Sequence, residues 1–123
     1  MAKNSLIKPN SGLTEILMDE RVLGSALGVG VEWAAEKALY SANRKAFGYA
    51  DQNNKGEVVF AETKGGAPNP QMSNNRLMAK LAMMIAGTLV MVNAEQESFA
   101  YFGLGWSSAA LTHTVQHHVL RVN

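Results

Sequence analysis

His113, His117 and His118 are the chain's three histidines, and the first two stand one helical turn apart. That spacing can hold a metal ion on one face of a helix. Their sequence neighbourhood offers little to complete such a site. There is no cysteine, and the carboxylates within twenty residues are Glu95 and Glu97. Solvated or headgroup-facing imidazoles are therefore expected, with a pH-sensitive terminus as the lesser alternative. A second pair, Glu32 and Glu36, has the i, i+4 spacing that can serve acid–base work. Trp33 and Lys37 flank it, and the pattern is read as a solvated helix face. Gly28-Val-Gly30 lacks the preceding strand and third glycine of a dinucleotide loop. No nucleophile elbow, zinc-protease motif or phosphate loop occurs. No catalytic, cofactor-binding or metal-binding residue is assigned, and a non-enzymatic protein is expected.

The elements that would carry these residues follow from composition and periodicity. The chain has 123 residues, enough for one domain with a modest core. Its net charge of +1 disfavours nucleic acid as a partner, since that binding needs a cationic surface. Charged residues are 17% of the chain, against about 25% in ordinary soluble domains. The absence of cysteine removes disulfides and thiol chemistry. Lys3 and Lys8 are followed by no apolar run of signal-peptide length, so synthesis in the cytoplasm without a cleaved signal is expected.

Residues 1–12 read as a polar N-terminal arm ending in the turn cluster Pro9-Asn10-Ser11-Gly12. From Leu13 the apolar series Ile16, Leu17, Leu23, Leu27 and Val31 steps by three and four and continues through alanines, while Asp19, Glu20, Arg21, Glu32, Glu36 and Lys37 mostly fall on the other side. This predicts an amphipathic helix over 13–47, bent near Gly24, Gly28 and Gly30. Glycine costs about 1 kcal/mol in a helix interior, so Gly24 and Gly28, one turn apart, are taken as a close-packing face for a neighbouring helix, with oligomerisation as the consequence. Residues 48–76 form a polar linker, with Glu57–Ala61 a candidate strand of a short hairpin.

Composition changes sharply over 77–123. Leu77–Ala94 carries Lys80 as its one charge, and Ser98–Leu120 carries no Asp, Glu, Lys or Arg. A helix over 77–94 would span about 27 Å, just short of the roughly 30 Å hydrocarbon core. The second segment is too polar to insert alone. Glu95-Gln96-Glu97 is a short turn that would make the two antiparallel neighbours. Small residues at four-residue spacing, Ala82 with Ala86 and Gly103 with Ser107 (likewise Gly105 with Ala109), are helix-packing candidates. Arg76, Lys80 and Arg121 fall at the open end as membrane-flanking charges, with Lys80 expected to snorkel. Trp106 falls at mid-depth, where it anchors nothing. The rival arrangement makes 77–94 the buried central helix of a soluble bundle.

The layout over Leu13–Phe47 and Leu77–Leu111 resembles the small membrane proteins of icosahedral bacteriophages with an internal membrane, the corticovirus kind. The resemblance implies a minor virion structural protein that links lipid to a capsid lattice, with copies of itself and other capsid or membrane proteins as partners. It transfers no functional residue. The expectation is thus an all-α, membrane-associated structural protein without cofactor. The alternatives are a holin-like phage membrane protein and a soluble helical scaffold or interaction protein.

Overall fold

The computed structural model describes residues 12–122, so most of the expected N-terminal arm lies outside the described residues. The fold is all-α with one small hairpin. In chain order it runs α1 (Leu13–Leu17), α2 (Glu20–Ala42), α3 (Arg44–Phe47), β1 (Tyr49–Gln52), β2 (Val58–Ala61), α4 (Pro70–Asn93) and α5 (Glu97–Thr114). A π-helical turn, Val115–Val119, closes α5.

The amphipathic helix expected over 13–47 is three helices, and its breaks are set by caps and not by the glycines. Asp19 is extended and its carboxylate accepts from Arg21 N–H at 2.8 Å, which starts α2 afresh. Asn43 ends α2 by leaving the helical region. Gly24, Gly28 and Gly30 all lie inside an unbroken α2. The polar linker is shorter than expected. Asn69 caps α4 through Gln71 N–H, and Pro70 at the first helical position is preorganised for that start. The expected strand is real: β2 pairs antiparallel with β1, from Tyr49↔Ala61 to Gln52↔Val58. Val58 and Phe60 pack with Met72 of α4 into a small apolar core. Arg121 carbonyl accepts from Val58 N–H at 2.9 Å, tying the C-terminal segment to the hairpin.

The central helix is α5. It packs along both α2 and α4, which scarcely touch each other. A helix with two neighbours needs small residues on two faces, and α5 supplies them: Gly103, Gly105, Ala109 and Ala110 are buried. On one side α5 runs antiparallel to α4, as the short 94–96 connection dictates. A Cβ on Gly103 would lie 2.6 Å from Gly87 carbonyl. On the other side it runs parallel to α2, where a Cβ on Gly28 would collide with Phe102 carbonyl and one on Gly105 with Ser25 carbonyl. Helix backbones in contact here leave no room for any side chain.

Two packing expectations change. The Gly24/Gly28 face meets α5 of the same chain, so a second copy is not what fills it. Ala82 and Ala86 are exposed, and the close approach on α4 is made by Gly87 instead. Gly103 and Ser107 do sit in the α4–α5 seam. Ser107 Oγ donates to Met84 carbonyl at 2.6 Å and Trp106 Nε1 to Met83 carbonyl at 2.7 Å. Both are side-chain bonds from α5 to the backbone of α4, and they tie the two helices together across the seam.

Candidate functional site

The periodicity of α2 assigns its buried face to the apolar series, and the fold reverses that assignment. The buried residues of α2 are Gly24, Gly28, Glu32, Glu36 and Tyr40, each four after the last. Leu23, Leu27 and Val31 face outward, Leu27 at 60% exposure. Gly24 and Gly28 decide the matter: α5 can approach only over glycines, and whatever continues that ridge is buried with them. Glu32 and Glu36 continue it.

Both carboxylates therefore enter the interior at the open end of the bundle, beside the hairpin. Glu32 is fully buried and Glu36 nearly so. α5, running parallel, brings His113 onto them from 77 residues downstream of Glu36. His113 Nδ1 donates to Glu36 Oε2 at 2.5 Å and lies 3.6 Å from Glu32 Oε1. Tyr40 hydroxyl donates to Glu36 Oε1 at 3.0 Å, one turn along α2. From α4, Lys80 Nζ lies 3.8 Å from that same oxygen and 3.3 Å from His118 Nε2. Neither oxygen of Glu32 has a hydrogen-bonding partner among the described residues.

An outer layer holds the cluster in place. Arg76 is buried and donates to the carbonyls of Phe47 at 2.7 Å and Gly48 at 2.8 Å, with its guanidinium stacked on the Tyr40 and Phe60 rings. Gly48 stands at φ 62°, and a Cβ there would collide with Ala61 carbonyl, so this turn needs glycine. The π-helical turn widens the end of α5 and swings His117 and His118 toward the hairpin. His118 stacks on Phe60 with centroids 5.4 Å apart. Burial first, then the Lys80 ammonium and His117, hold the His118 imidazole down to about 4. It is neutral at physiological pH and accepts from Lys80. The Trp33 ring, half exposed, stacks on His113 at 5.3 Å and covers it from outside.

Several sequence expectations are overturned at this end. Glu32 and Glu36 are not a solvated face. Arg76 and Lys80 are buried within the fold, and Lys80, at 1% exposure, does not reach outward as a snorkelling cation would. The pull of two buried carboxylates and of turn carbonyls outweighs the attraction of water for these cations. Arg121 is exposed, 3.8 Å from Glu57. The carboxylates near the histidines are remote ones, not Glu95 or Glu97. The available signal was a coincidence of spacing, Glu-x-x-x-Glu near the end of one helix and His-x-x-x-His near the end of another. It acquires meaning only when the two helices are known to run parallel.

The chain matches no protein-family model, no curated protein and no solved structure.

Proposed function

We propose that this chain is a non-enzymatic structural protein embedded in a membrane, with the α4–α5 hairpin and the adjoining part of α2 as its inserted body. The observation that carries the reading is the inverted arrangement of side chains. Charged Glu32, Glu36, Arg76 and Lys80 lie inside, while Leu27, Met78, Ile85, Leu89, Val92 and Leu104 lie outside. In water such an arrangement forfeits the hydrophobic drive and adds the desolvation of four charges. Against lipid the outward residues are in their own solvent, and the charges are where a membrane protein keeps them.

Among the described residues one helix, Pro70–Asn93, is long and apolar enough to cross a membrane, and only 17% of its most apolar window is buried within the fold. A central helix of a soluble bundle would be mostly covered. The hairpin supplies features that lipid favours: backbone paired along two long helices, glycine and serine at the seams, and no charge between Leu81 and Ala94. The layout resemblance extends the reading to the internal membrane of an icosahedral phage. There the β1–β2 hairpin at the open end would be offered to capsid proteins; the support for that finer assignment is the layout.

The test is fractionation. Expressed chain should sediment with membranes and remain in the pellet after an alkaline wash. Recovery in the cytosol from the outset would transfer the fold to the class of soluble helical scaffolds. Permeabilised cells on expression would favour the holin-like alternative.

A further inference from the structure

Glu32 poses the sharpest physical question in the molecule. A fully buried carboxylate with two unpartnered oxygens costs several kcal/mol if ionised and alone. The cations nearby make no hydrogen bond to it. Arg76 is committed to the Phe47 and Gly48 carbonyls, and Lys80 to Glu36 and His118. Glu36 Oε1 is already taken by Tyr40 and Lys80. What remains turned toward one point is Glu36 Oε2, His113 Nδ1 and the Glu32 carboxylate, and one ligand atom from each lies within 4.8 Å of the others.

We propose that Glu32, Glu36 and His113 form a binding site for one divalent first-row transition-metal ion, with zinc as the reference case. Oxygen and imidazole ligands bind such an ion at about 2.0–2.2 Å, and the spread of these atoms lets them converge on a common centre through side-chain rotation. The imidazole disfavours calcium and magnesium, which are satisfied by larger sets of oxygens. Three protein ligands leave a position for water, reached past the partly exposed His113 beside Trp33. On binding, Nδ1 gives up the proton it now donates to Glu36, that proton leaves to solvent, and the nitrogen lone pair goes to the metal. Glu36 keeps Lys80 and Tyr40 on its other oxygen, which fixes the carboxylate from behind as second-layer partners do in metal sites. The alternative occupant of the same gap is a proton on Glu32, and the experiment separates the two.

Full-length chain, purified in detergent and stripped with chelator, is titrated with zinc chloride against a chromophoric competitor, and separately with cobalt(II) followed by visible absorption. The expected result is one ion per chain with micromolar or tighter affinity and cobalt ligand-field bands. Glu32→Gln and His113→Ala should each weaken binding at least tenfold, while Glu57→Gln, at the exposed contact with Arg121, should leave it unchanged. Glu32→Gln keeps the side-chain shape and removes the unpartnered charge, so its helicity by circular dichroism should match the parent and exclude misfolding as the cause. No stoichiometric binding by the parent chain overturns the site in favour of a protonated Glu32. Undiminished binding by Glu32→Gln overturns it equally, and assigns the ion to the histidines of the C-terminal turn.

Discussion

At the closed end of the bundle, Gly24 lies against Ser98 carbonyl and Gly103 against Gly87, with backbones touching and large apolar side chains turned outward. At the open end the same three helices spread to enclose Glu32, Glu36, Tyr40, Lys80 and His113. One end is held by van der Waals fit and a few seryl and indolyl bonds, the other by a buried polar network in which Lys80, His113 and Tyr40 converge on Glu36. The contrast teaches how a short chain fixes helix order with little apolar core. Glycine ridges decide which faces meet, and charges at the far end of those ridges decide the register. A slip of α5 by one turn would part His113 from Glu36 and Lys80 from His118 together. Specificity through a buried polar network is a known use of such groups.

The largest expected effect comes from unbalancing the charged end. Lys80→Met removes the cation 3.8 Å from Glu36 and leaves two buried carboxylates with Arg76, which is committed to the Phe47 and Gly48 carbonyls, as the remaining α4 cation. A loss of about 3–5 kcal/mol is expected, the usual range for breaking one partner out of a buried pair. Unfolding of the detergent-solubilised chain by denaturant measures it. The double change Lys80→Met with Glu36→Gln should recover much of the loss. Failure to recover would separate Lys80 from the carboxylates and remove the charge balance from the comparison.

The closed end should break by volume instead. Gly105→Ala drives a methyl group into Ser25 carbonyl on α2, where the contact is backbone on both sides and cannot yield by side-chain rotation. Overpacking of this kind costs about 1–3 kcal/mol or more. Ala82→Leu, on the exposed side of α4, should cost nothing measurable, and parallel unfolding curves for the two variants decide the point. A penalty at Ala82 equal to that at Gly105 would mean that α4 meets a further helix through its exposed face.

How much of this was legible beforehand follows from the same contrast. The all-α class, the α4–α5 hairpin, its short polar turn at Glu95 and Gln96 and the Gly24/Gly28 face are visible because each is a local pattern: an uncharged run, a turn, a four-residue step. The direction in which α2 faces is not local. Its apolar series predicts Leu23, Leu27 and Val31 inward, as the amphipathic rule has it. Two glycines on the opposite side overrule it, since backbone approach is possible only there. With that reversal Glu32 and Glu36 pass from surface to interior, and the candidate site becomes invisible to any reading that keeps them solvated. The pairing of Glu36 with His113 further requires the parallel course of α2 and α5, which the intervening linker does not specify. Lys80 escapes a local reading for a related reason. It stands near the end of an apolar run, where snorkelling is the default, and only the buried carboxylates draw it inward.

A smaller effect tests whether polar bonds matter in the apolar seam. Ser107→Ala removes the donor to Met84 carbonyl and the partner of Thr88 at 3.0 Å. Cross-helix bonds of this sort are worth about 0.6 kcal/mol on average in a membrane, with about 1.7 the largest seen. The same denaturation measurement should place Ser107→Ala in that range. A value near that for Lys80→Met would erase the distinction between the two ends.

The smallest effect lies at the start of α2, outside both packing regimes. Asp19 caps the helix and holds Arg21 through both oxygens, at 3.0 and 2.7 Å. The Arg21 side chain first, then the Arg21 backbone N–H, bring the Asp19 carboxyl from 3.8 down to about 2. A depressed carboxyl stabilises the folded end when ionised. Its contribution is therefore complete above pH 3.8 and disappears as pH falls through about 2. Between those limits the first turn of α2 should loosen while Gly24 and the residues beyond stay fixed against α5. Amide exchange at Arg21 and Val22, followed down to pH 2, should accelerate relative to Gly28. Because the group is at the surface, added salt should shrink the difference. Equal acceleration at Gly28 would show that the cap and the glycine seam open as one unit, which would extend the closed end of the bundle to the first residue of α2.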